Sequence, residues 1–116
     1  MSTNFSALRN ELQSVMLQLG REIPEAMGGF AALHKAATAN GALERKTKEL
    51  IALGIAISIR CDSCIAYHVR DVLAAGATHA EVLECLGVAV MMGGGSAAMY
   101  ACTALTALQQ FESERR

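Results

Sequence analysis

The sequence predicts an all-α protein, a compact bundle of about six helices with a Cys-x-x-Cys pair at the N-terminus of one of them. Three observations carry that prediction. Apolar residues recur at helical spacing along most of the chain, Pro and Gly fall where helices should begin and end, and no second alternating segment exists to pair with the one strand-like run.

The elements follow in order. Phe5, Leu8, Leu12, Val15, Met16 and Leu19 form one helical stripe, and Gly20 is expected to stop it. Pro24, the only proline, is placed to start a second helix carrying Met27, Phe30, Leu33 and Ala37, which Asn40-Gly41 should end. The next segment is ambiguous, because Ile51, Leu53, Ile55, Ile57 and Ile59 alternate with small residues as a buried strand would. A strand running into Cys-x-x-Cys would be a thioredoxin-like arrangement. That reading is rejected, since such a site expects a proline after the cysteines and Leu43 to Glu49 is a strong helix-forming lead-in. Thr78-His79-Ala80-Glu81 is a capping box ahead of Val82, Leu86, Ala89 and Val90. Gly93-Gly94-Gly95-Ser96 then breaks the chain before a last helix with Ala98, Ala101, Cys102, Leu105 and Leu108.

At 116 residues the chain is read as one domain, 1–116. It is 53% hydrophobic and only 18% charged, with a net charge of -1. So apolar a composition in so small a chain predicts surface buried between subunits, hence a homo-oligomer, and the small-residue run Gly93 to Ala98 would allow close approach. A near-neutral charge without a basic stripe argues against nucleic-acid or anionic-membrane partners. The stretch Met1 to Phe5 lacks the basic region of a targeting signal, and Leu50 to Ile59, taken as the longest uncharged apolar run, is far short of the ~20 residues that span a bilayer. A cytoplasmic location is therefore expected. There thiols stay reduced, so four cysteines point to catalysis, metal binding or packing before a structural staple.

The least ordinary stretch is Arg60-Cys61-Asp62-Ser63-Cys64-Ile65-Ala66-Tyr67-His68. If a helix begins near Cys61, residues 61, 64, 65, 68 and 72 share one face. A thiol at a helix N-terminus feels the positive end of the dipole, which lowers thiol pKa values from ~8.5 into the range ~3.5–7.5. Glu49 enters by counting. In an antiparallel hairpin turning near Ser58-Ile59, Glu49 and His68 lie level, each ~14 Å from the turn at 1.5 Å per residue. A carboxylate there could orient His68, and His68 could move a proton at a thiol.

Glu49, eleven intervening residues, then Cys61-x-x-Cys64-x-x-x-His68 resembles the motif of the alkylhydroperoxidase D-like branch of the carboxymuconolactone decarboxylase superfamily. Leu43 to Glu49 is similar to that family's charged lead-in, and Ala74 to Val82 to the turn into its next helix. The resemblance spans about residues 25–110. It implies an all-helical fold, trimers or hexamers, and cofactor-free thiol chemistry that reduces peroxides, with Cys61, Cys64, His68 and Glu49 as the catalytic set. One departure is Ser63, which stands where the peroxidase has a histidine between its cysteines.

The expected function is thus a thiol-dependent peroxidase or disulfide reductase of antioxidant type, taking a peroxide or disulfide and restored by an external dithiol. In this reading peroxide attacks Cys64, Cys61 resolves the sulfenic acid, His68 manages the proton and Glu49 orients His68. The alternative is a decarboxylase-like lyase or small-molecule-binding relative with incidental cysteines. Less favoured is a zinc module, in which Cys61, Cys64 and His68 take Cys85, Cys102 or His79 as a fourth ligand. Cys85 and Cys102 read as core thiols, His34 and His79 as surface or capping residues without partners, Tyr67 as packing, and Met91, Met92 and Met99 as core or subunit interface.

Overall fold

The computed structural model describes residues 3–115, so Met1 and Ser2 of the stretch read for a targeting signal, and Arg116, lie outside it. The described chain is helical throughout: α1 (Phe5–Glu22), α2 (Pro24–Thr38), α3 (Arg45–Ser58), α4 (Asp62–Ala74) and α5 (His79–Glu114). The alternating run from Ile51 to Ile59 is helix. Its period-two pattern arises because Leu53, Ala56 and Ile57 face the core while Ile51, Ile55 and Ile59 remain exposed.

α5 accounts for the count of about six. Gly94 has φ 68° and ψ -145°, a conformation that costs a residue without Cβ little. The chain folds back there, so that His79 near one end of α5 lies 3.0 Å from Glu112 near the other. The two halves of α5 are in effect an antiparallel pair. This corrects the search for apolar runs. Residues 85–111 carry no charge, a longer stretch than Leu50 to Ile59, and by length and composition α5 could cross a membrane. The bend means it does not extend as one rod, and Val82, Leu86, Ala104, Leu108 and Phe111 on both halves pack into the core.

Helix ends follow local chemistry. Asn4 caps α1 through the Ala7 amide at 3.0 Å, and α1 runs past Gly20 to Glu22, because a lone glycine weakens a helix without ending it. Pro24 opens α2 as expected. The Thr78/Glu81 capping box is formed, with Lys46 of α3 3.0 Å from Glu81 tying the start of α5 to that of α3.

The turn that matters most joins α3 to α4. The Arg60 amide donates to Ile57 and the Cys61 amide to Ala56, both at 3.3 Å, which is a Schellman ending. Arg60 takes the left-handed position, with φ 60°, where glycine is usual. Cys61 then serves at once as the last residue of that motif and as the N-cap of α4. No loop intervenes, so α3 and α4 form a tight hairpin. Their facing residues Leu53, Ile57, Ile65, Val69 and Val72 make the core with α5, and α1 closes it through Phe5. α2 buries none of its residues fully; it packs on α1 and touches α3, facing α4 across a cavity.

Candidate functional site

Cys61 and Cys64 are joined as a disulfide across the first turn of α4. The Cys61 sulfur accepts the Cys64 amide at 3.1 Å, the place a Ser or Asp oxygen takes at an ordinary N-cap. The first-turn amides and the helix dipole both point at that sulfur, the environment that stabilises a thiolate when the bond is reduced.

From Cys64 onward α4 presents two stripes. Ile65, Val69 and Val72 are fully buried in the core. Cys64, Tyr67, His68 and Asp71, at i, i+3, i+4 and i+7, instead line a cavity of about 870 Å³ between α4 and the α1–α2 hairpin. The single face drawn through 61, 64, 65, 68 and 72 is therefore divided: Ile65 and Val72 belong to the core, and Cys64 and His68 to the cavity. Leu12, Met16, Met27 and Phe30 form its apolar wall, with Arg9, Arg21, His34 and Ser63 also on its lining. A second hollow of about 580 Å³, around Asn4, Gln110 and Ser113, is distant in chain position from this chemistry and contains no cysteine or histidine.

Glu49 lies on α3 where the hairpin count placed it. Its Oε2 is 3.8 Å from Nδ1 of His68 and its Oε1 is 3.8 Å from Nε of Arg45. Its side chain is fully buried, and neither carboxylate oxygen nor His68 Nδ1 has a hydrogen-bond partner among the described residues. A carboxylate removed from water without hydrogen bonds is costly, so its presence calls for a chemical reason.

The hairpin brings in residues that sequence spacing did not connect. His34, on α2, offers a ring nitrogen that lies with a carboxylate oxygen of Glu49 and one of Asp71 in a group whose atoms are all within 4.8 Å of one another. His34 is exposed, as its surface reading expects, but it lies beside two carboxylates that sequence spacing did not connect with it. Asp71 was not singled out at all; its only signal was the seven-residue spacing from Cys64. Arg9 of α1 stacks over Tyr67, 5.0 Å from the ring centroid, and its Nη2 is 4.0 Å from Asp71. Tyr67 is thus a cavity residue with a cation on its face.

The remaining candidates lie elsewhere. His79 pairs with Glu112. Cys85 is half-buried, its thiol donating to the Leu50 carbonyl at 3.1 Å, and burial pushes its pKa up. Cys102 is exposed, which corrects its reading as a core thiol: Leu108 of its stripe is buried and Ala101 and Leu105 pack against the core, but position 102 lies off the covered face. Among the described residues His79 pairs with Glu112, Cys85 donates to Leu50, and Cys61 and Cys64 are bonded to each other, so the four-ligand zinc arrangement is not assembled there. Met91, Met92 and Met99 are 73%, 76% and 65% exposed, which removes the core reading for them.

Comparison with known proteins agrees with this architecture. The model of the carboxymuconolactone decarboxylase family matches residues 24–107. An uncharacterized protein of Cupriavidus necator is 38% identical over 105 residues, covering 90% of this chain and 93% of its own. The crystal structure of apo-lpg0406, a carboxymuconolactone decarboxylase family protein from Legionella pneumophila, superposes with a TM-score of 0.89 at 44% identity, over 92% of this chain and 96% of that one. TM1620 of Thermotoga maritima, of the same family, gives a TM-score of 0.73 at 29% identity, over 86% and 92% of the two chains.

Proposed function

Because this chain belongs to the carboxymuconolactone decarboxylase family, we propose that it is a thiol-dependent oxidoreductase of the alkylhydroperoxidase D-like kind, reducing peroxides or disulfides with the Cys61/Cys64 pair. The observation that carries this reading is the disulfide at the N-terminus of α4, with Cys64 opening onto the cavity that His68 also lines. A decarboxylase-like role would leave the bonded cysteine pair at the cavity wall without a purpose. The Thermotoga maritima relative carries in its own name a possible involvement in antioxidative response, which favours the same choice.

The cycle begins with both thiols reduced. The Cys64 thiolate attacks the terminal peroxide oxygen, the O–O bond breaks, and Cys64 becomes a sulfenic acid while the departing alkoxide takes a proton to leave as an alcohol. The Cys61 sulfur, favoured as a thiolate by its N-cap position, attacks the Cys64 sulfur; the disulfide forms and the hydroxyl leaves as water. An external dithiol reduces the disulfide by exchange and is itself oxidised. His68 is the proton carrier for these steps, and Glu49 holds its ring in the cavity. Cys64 is assigned the first attack because it lines the cavity, whereas Cys61 does not. The chain is further proposed to work in the cytoplasm, where dithiol reductants are present, and as a homo-oligomer, trimer or hexamer. Exposed Leu17, Phe30, Leu33 and the α5 methionines supply the apolar surface for assembly.

The test is a thiol count and intact mass before and after mild peroxide. The Cys61 and Cys64 thiols should disappear together, with the mass falling by the two hydrogens removed, and Cys61→Ser/Cys64→Ser should abolish dithiol-dependent peroxide turnover. Full activity in the double variant would overturn the proposal.

A further inference from the structure

Among the described residues Glu49 has no hydrogen-bond partner for either oxygen, although both are buried. Arg45 and His68 approach to 3.8 Å, and Arg9 reaches Asp71 only at 4.0 Å, so among the described residues no cation is in hydrogen-bond contact with either carboxylate. Around that gap the fold gathers Lewis bases from three helices: His34 of α2, Glu49 of α3 and Asp71 of α4, with donor atoms within 4.8 Å of one another. Two carboxylates so close repel when both are ionised. A divalent cation between them would relieve that repulsion.

We propose that His34, Glu49 and Asp71 form a divalent-metal site in the wall of the cavity, suited to a borderline ion of the zinc class. One nitrogen and two carboxylate oxygens fit zinc better than magnesium or calcium, which take oxygen ligands almost alone. Ligand atoms ~2.0–2.2 Å from a tetrahedral zinc are ~3.4 Å apart, so the group needs only modest closing. Glu49 is the rigid member. His34 is exposed and the Asp71 side chain 20% exposed, so both have room to rotate onto the ion. His68 Nδ1, 3.8 Å from Glu49 Oε2, lies next to the group without belonging to it. An ion held there would compete with His68 for Glu49, placing metal binding in opposition to the thiol cycle.

The site does not involve the cysteines, which allows a clean test. The disulfide form of the full chain is stripped with a chelator and titrated with Zn²⁺ by calorimetry, and with Co²⁺ by visible absorption. One ion per chain is expected. His34→Ala and Asp71→Asn should each weaken binding by more than the ~10–100-fold typical of losing a mere outer-sphere partner, with unchanged far-UV circular dichroism. Lack of stoichiometric binding by the disulfide form would overturn the proposal, as would affinity unchanged in both variants. Binding that occurs only after reduction and vanishes in Cys61→Ser/Cys64→Ser would likewise overturn it, placing the ion on the thiols. Because the readout is metal on the oxidised protein, it is independent of whether the chain turns over peroxide.

Discussion

Glu49→Gln separates what Glu49 does for the fold from what it does for the chemistry. The substitution keeps shape and replaces a buried carboxylate that lacks hydrogen bonds among the described residues with a neutral amide. Its two neighbours are not stranded by the change, since the Arg45 side chain is 53% exposed and His68 25% exposed. The usual penalty for leaving a buried charge behind is thus absent, and exchanging a desolvated carboxylate for a neutral amide of the same shape should stabilise the chain by ~1–3 kcal/mol, the order of the cost of an unsatisfied buried polar group. At roughly 4–5 °C per kcal/mol for a domain of this size, Tm should rise by several degrees. Turnover should move the opposite way. If the carboxylate orients His68 for proton transfer, its loss should cost ~10²–10⁴-fold in dithiol-dependent peroxide reduction. Both quantities would be measured with chelator present and at one protein concentration, because bound metal or assembly would shift Tm by mass action. A variant destabilised by more than ~1 kcal/mol would show that the carboxylate is stabilising on balance. A variant with wild-type turnover would refute its role toward His68.

Four further outcomes are expected. Ser63 lies on the cavity lining but cannot titrate near neutral pH, so thiol–disulfide exchange should exceed peroxidase activity, and Ser63→His should raise the peroxidase rate; a slower variant would refute this. With the disulfide intact, iodoacetamide should modify exposed Cys102 well before Cys85, whose thiol burial keeps protonated, and peptide mapping over time reads the order. The Glu81 carboxyl is held below its ordinary 4.5 by the Thr78 backbone amide and by Lys46, so its stabilisation is complete above that value and lost as pH falls through the lowered one; Glu81→Gln should flatten the acid limb of Tm against pH. Sedimentation at micromolar concentration should give a mass several times that of one chain, and a monomer mass would refute assembly.

Much of this site could be read from the chain because its central pair is joined by a short hairpin. Glu49 and His68 flank a turn whose position was set by local signals, and rise per residue then determines which side chains are level. The Cys61 N-cap, the Pro24 start and the Thr78/Glu81 box were legible for the same reason: each is settled by contacts within a few residues. Periodicity also identified the apolar stripes, but it could not say which stripes are covered. Cys102 lies on such a stripe and is exposed, because α5 is apolar around most of its circumference and only packing selects the face that is buried. Likewise, the division of α4 into a core face at Ile65 and Val72 and a cavity face at Cys64, His68 and Asp71 depends on α5 lying on one side and α1–α2 on the other. His34 and Arg9 reach the site only through that packing. They are 15 residues or more from their partners, with a helix boundary between, and no local rule relates residues whose separation is set by how helices cross.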